Sequence, residues 1–82
     1  MPEIAIIDGI RIVMYWGDHA PPHFHAWVGS NDAMFDLATG RLLKGRADRR
    51  TIRKVQQWTE RNQELLKAEW TRCQTGSPGT TR

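Results

Sequence analysis

Three histidines, the only ones in the chain, fall within the segment Asp18-His19-Ala20-Pro21-Pro22-His23-Phe24-His25. Imidazole ordinarily titrates close to neutral pH, so such a cluster lends itself to three kinds of chemistry. In the first, His19, His23 and His25 give three nitrogens to a divalent transition metal, with Asp18 as a fourth ligand or as the group that orients a ring. In the second, no cofactor is needed. His23 and His25, with His19 alongside, act as general base and general acid in cleavage of a phosphodiester beside a ribose 2′-hydroxyl. Arg11, Lys44 or Arg46 would then hold the phosphate. In the third, Pro21, Pro22, Phe24 and Trp27, with Tyr15 and Trp16 near them, form an aromatic and imidazole ledge that anchors a partner protein.

All three need the rings to be held in place. Two prolines fix φ and push their neighbours toward extended geometry, so the segment is not helical and presents its side chains from a stiff corner. A strand running on from His23 puts His23, His25 and Trp27 on one face and Phe24, Ala26 and Val28 on the other. The expectation is a corner that aims neighbouring imidazoles into one solvent-reachable spot. The plainer alternative is that the rings hydrogen-bond main-chain carbonyls where the corner meets the strand.

The surrounding pattern reads as strands and then helices. Ile4–Ile7 and Ile10–Tyr15 are β-branched runs separated by Asp8-Gly9, a hairpin signal. After a turn at Gly29-Ser30-Asn31, Ala33, Phe35 and Leu37 alternate with Asp32, Met34 and Asp36. Thr39-Gly40 turns the chain into a short strand at Arg41–Lys44. From Asp48, expected as the cap, Ile52, Val55 and Trp58 or Thr59 follow helical spacing, and Leu65, Leu66, Trp70 and Cys73 make a second stripe. Asn62 lies between the stripes and is expected to cap a second helix, with Glu64 in its first turn. The prediction is an α+β domain over residues 1–74, an antiparallel meander of four to five short strands followed by two C-terminal helices packed on one face. Residues 75–82 have nothing apolar to dock and read as a flexible tail.

Charge is distributed unevenly. Residues 1–40 carry one base, Arg11, against five acids, a net of −4, whereas residues 41–82 carry eleven bases against four acids, a net of +7. Arg41, Lys44, Arg46, Arg49, Arg50, Arg53 and Lys54 fall close together with Asp48 as the one acid among them. Such a block attracts phosphate backbones or an acidic protein, or else is a solvated helix start. The single cysteine, Cys73, excludes an intrachain disulfide. With no basic leader and no long apolar run, the expectation is a cytoplasmic protein without a membrane segment.

Gly9–Tyr15, the string His19-Ala20-Pro21-Pro22-His23-Phe24-His25 after Asp18, Asp36–Gly40, Trp58 and Leu65-Leu66 with Trp70 together resemble the small bacterial proteins of the domain of unknown function 4160 family, over roughly residues 2–73. Asn62 departs from the pattern, since relatives commonly have histidine there, and the stretch before the first helix is more basic. The resemblance implies a short cytoplasmic protein whose gene lies beside that of a second small protein, an arrangement of toxin–antitoxin type. Together with the residues, it implies a regulatory protein that acts through that partner, with the histidine cluster as its functional centre and the basic 41–54 stretch available to nucleic acid. The ribonuclease-like and metal-binding readings stand beside it.

Overall fold

The computed structural model describes residues 3–15, 17 and 20–75, the side chain of Thr75 excepted. Asp18, His19 and Trp16 therefore lie outside the described residues, as does nearly all of the segment read as a tail.

Five strands and two helices follow in sequence: β1 (Glu3–Ile7), β2 (Ile10–Val13), β3 (His23–Val28), β4 (Asn31–Asp36), β5 (Leu42–Gly45), α1 (Arg49–Arg61) and α2 (Gln63–Thr75). The strands pair in chain order as an antiparallel meander. The fold is thus α+β, with the helices after the sheet. No helix among the described residues is long and apolar enough to cross a membrane.

Local chemistry sets the turns. Asp8 and Gly9 both take positive φ, 49° and 80°, the backbone of a two-residue turn whose twist matches that of the flanking strands. The second hairpin is tighter than expected: Val28 pairs with Asn31, so the loop is Gly29-Ser30 alone and Asn31 already belongs to β4. After β4, the Asp36 carboxylate accepts from the main-chain N–H groups of Ala38 and Thr39, both at 2.9 Å, and turns the chain toward β5. At Gly45 (φ 86°) an added Cβ would lie 2.5 Å from the carbonyl oxygen of Asp32, so only glycine fits where β5 crosses β4.

One face of the sheet packs on the helices. Ile10, Ile12, Phe24, Ala26, Ala33 and Phe35 are buried there with Val55 of α1 and Leu66 and Cys73 of α2. Phe24 stacks on Phe35 at 5.8 Å between ring centroids and stands edge-on to Trp58 at 5.9 Å. Truncating either phenylalanine to alanine costs about 3–5 kcal/mol, a large share of a small domain's stability. Val28 continues the alternation but is exposed at the strand end.

The helices are separated where the sequence suggests, though Asn62 works differently. Its side chain donates to the Trp58 carbonyl at 2.8 Å and its N–H to that of Thr59 at 3.2 Å, closing α1, while its carbonyl accepts from the Leu66 N–H at 2.9 Å and so opens α2 through the main chain. Gln63 then donates to the Leu37 carbonyl at 2.9 Å, tying the start of α2 to the end of the β4 region. Asp48 is the N-cap of α1, accepting from the Thr51 N–H at 2.8 Å.

That main-chain bond, then the Thr51 hydroxyl, and then Arg50 and Lys54 hold the Asp48 carboxyl below its ordinary value of 3.8. A carboxyl whose pKa is lower folded than unfolded adds stability above its ordinary value, and that stability is lost as the pH falls through the lowered value. Asn caps equally well without a charge. Thermal melts of wild type and Asp48→Asn should therefore shift in the variant's favour as the pH drops below 3.8. A difference that does not change with pH would show that the cap charge is irrelevant.

Candidate functional site

The second face of the sheet carries the histidines. Residues directly opposite in an antiparallel ladder share a face. The register therefore groups Ile6, Arg11, Trp27 and Asp32 in one row across β1–β4, and Val13, His25, Met34 and Lys44 in the next across β2–β5. His23 follows one step further along β3. The alternation expected of this strand is what the structure has.

The rings form a continuous series. The Trp27 indole donates to the Tyr15 hydroxyl at 3.2 Å. Tyr15 stands edge-on to His25 at 4.7 Å between centroids, His25 edge-on to His23 at 5.3 Å, and His23 meets Trp70 of α2 at 5.5 Å. Such edge-to-face contacts suit the positive rims and negative faces of aromatic rings. Arg11 flanks the row and pairs with Glu3 at 3.3 Å.

The two imidazoles differ in setting. His23 is only 5% exposed, and its Nδ1 lies 2.7 Å from the Pro21 carbonyl oxygen. The expectation of two rings aimed into one open spot is corrected for this residue: its ring is wedged between His25 and Trp70, and the Pro-Pro corner caps it with main chain. His25 is more accessible, and its Nδ1 lies 3.1 Å from Asp32 Oδ1. This is the carboxylate–imidazole contact that sets the orientation of a ring in proton-transfer and metal sites alike.

Pro21 and Pro22 are exposed, and the Ala20–Pro21 peptide is cis. The Pro22 carbonyl accepts from the Leu37 N–H at 3.0 Å, which pins the corner to the end of β4. Beside it is a shallow cleft lined by Pro22, Asp36, Leu37, Ala38, Lys67 and Trp70. Phe24 is fully buried in the core and supports the site from beneath, so it is not part of the contact surface.

Among the described residues no group of three histidine, cysteine or acidic side chains is placed to hold a metal ion. His19 and Asp18, which would complete the set with His23 and His25, lie outside the described residues. Of the basic residues, Arg41 and Lys44 sit at the β5 side of the sheet, while Arg46, Arg49, Arg50 and Arg53 lie before or on α1 and away from the imidazole rows. Lys44 alone shares a row with His25, two strands across or about 10 Å away.

Sequence reasoning passed over Asp32, which was seen only as a polar alternation partner. The signal was present: a two-residue Gly29-Ser30 loop puts Asp32 opposite Trp27 and diagonal to His25 on the same face. Trp70 was read as core packing. It is also the wall against which His23 rests.

The unequal burial has a measurable consequence. His23→Ala removes a buried ring and leaves the Pro21 carbonyl without it, and should cost about 1–3 kcal/mol. His25→Ala should cost less, since the ring is more accessible and its hydrogen bond to Asp32 is worth about 1 kcal/mol. Denaturant unfolding of both variants checks this, and equal losses would contradict the assignment of His23 to the scaffold.

No curated protein and no solved structure matches this chain. A family model described as a domain of unknown function, DUF4160, matches residues 9–71, from the turn before β2 into α2 and well over half of the chain, and the protein belongs to that family.

Proposed function

We propose that this is a small regulatory protein of toxin–antitoxin type that acts by binding a second small protein through the histidine-bearing face of its sheet. The observation that carries this reading is the ring series Trp27–Tyr15–His25–His23–Trp70, partly accessible and continuous across β3, the segment after β2 and α2. Ile6, in the same row as Trp27, is 60% exposed, so an aliphatic side chain extends this surface toward the sheet edge. Aromatic anchors rimmed by charge are what the centre of a protein interface requires. Here Arg11, Asp32 and Lys44 supply the rim, and the cleft beside Pro22 and Trp70 offers room for an apolar side chain of the partner. The expected partner is the product of the adjacent gene.

Co-expression with that gene product and affinity capture tests the proposal. Wild type should retain the partner, and Trp27→Ala and His25→Ala should each lose it by tenfold or more while still melting cooperatively. Undiminished capture by both folded variants would overturn it.

The Asp32–His25 contact supports a second reading, metal-independent RNA cleavage. An imidazole oriented by a carboxylate would take the ribose 2′-hydroxyl proton, and a second imidazole would protonate the leaving oxygen. Incubation with RNA in excess chelator should then give cleavage that His25→Ala reduces by a factor of about 100 or more. Equal cleavage by wild type and variant, or none at all, would discard this reading and leave the first untouched.

A further inference from the structure

Three shallow clefts in series form a groove along α1, on the helix side of the molecule and away from the histidine face, neighbouring clefts sharing lining residues and the Asp8–Lys54 pair standing between the last two. One lies against Val28, Asn31 and Arg46, the next against Asp8, Arg50 and Lys54, and the last against Ile7, Trp58 and Arg61. Val28, Asp48 and Thr51 are common to the first two, and Asp8 and Lys54 to the last two. One wall is the helix, and the other is formed by the two hairpin turns.

Four cations line this groove: Arg46 just before the helix, and Arg50, Lys54 and Arg61 on it. At a rise of 1.5 Å per residue, the stretch from Arg50 to Arg61 spans about 16 Å. Of the two acids in the groove, Asp8 pairs with Lys54 at 3.1 Å, and Asp48 accepts from the Thr51 N–H at 2.8 Å and keeps its charge beside Arg50 and Lys54. Among the described residues, Arg46, Arg50 and Arg61, and Arg49 and Arg53 beside them, are held in no ion pair. The first turn of α1 contains no acid but has Arg49 and Arg50, which oppose the helix dipole.

We propose that this groove binds a short single-stranded stretch of nucleic acid, with the arginines on successive phosphates and Trp58 as the platform for a base. Planar guanidinium groups match phosphate oxygens two at a time. The feature that points to nucleic acid is Trp58, a half-buried indole whose inner side packs edge-on to Phe24 and which lines one end of the groove with Lys54 and Arg61. A cationic groove containing an aromatic ring is the arrangement that follows a single strand. The site is independent of the partner surface on the opposite face, and either can fail without the other.

Fluorescence anisotropy of a labelled oligodeoxythymidine, which has no 2′-hydroxyl to react, tests the proposal on the full chain. With three phosphates neutralised, affinity should fall about 20-fold between about 50 and about 200 mM salt. Arg50→Gln combined with Arg61→Gln should weaken binding about tenfold and flatten the salt dependence by about two contacts. Lys67→Gln combined with Arg72→Gln, an equal change of charge on α2, should leave binding within about twofold. Equal losses in the two double variants would show attraction by diffuse charge, and a polyglutamate peptide binding as tightly as the oligonucleotide would show an acidic protein site. Either result, or no binding at low salt, overturns the proposal.

Discussion

Phe24, Phe35 and Trp58 meet in the layer between sheet and helices, Phe24 stacked on one ring and edge-on to the other. This contact governs more than the core. Side chains alternate along β3, so burying Phe24 and Ala26 against the helices commits His23, His25 and Trp27 to the opposite face. A slip of one residue would place two imidazoles and an indole in the core and two apolar side chains outside. The histidine face is therefore specified by the phenylalanines beneath it, and the antiparallel register carries the order on to Val13, Asp32 and Met34.

The Pro-Pro corner is the second constraint. Its two carbonyls are both used, Pro21 by the His23 ring and Pro22 by the Leu37 N–H. The corner thereby joins the start of β3 to the end of β4 and closes over the more buried imidazole. His23 reads as the keystone of this junction and His25, held by Asp32, as the ring that faces outward. The two halves of the charge distribution also find separate places, with mixed charge around the rings and the arginine surplus along α1.

Much of this was legible in the sequence, because each element announced itself by a local rule. Asp8-Gly9 marked the first hairpin, and period-two alternation marked β3 and β4. The change to helical spacing after Asp48 marked α1, and the interruption at Asn62 marked the end of one helix and the start of the next. What the sequence could not show depends on contacts between distant segments. The burial of His23 rests on Trp70, forty-seven positions later, and the role of Asp32 depends on a hairpin register one residue tighter than the turn signal suggested. Asn62 was placed correctly at a helix break, but its side chain serves α1 while only its carbonyl serves α2, since a side chain between two helices can serve either and only geometry decides.

The proposal that the ring series on the outer face meets a partner protein is open to direct test. Nuclear magnetic resonance of the isotope-labelled chain, titrated with the adjacent gene's product, tests that most directly. The account predicts shifts or broadening at the Trp27 indole N–H and at backbone amides of Val13, His25 and Met34, with the amides of Val55 and Leu66 unmoved. Changes confined to the helix layer, or a spectrum indifferent to the partner, would contradict it.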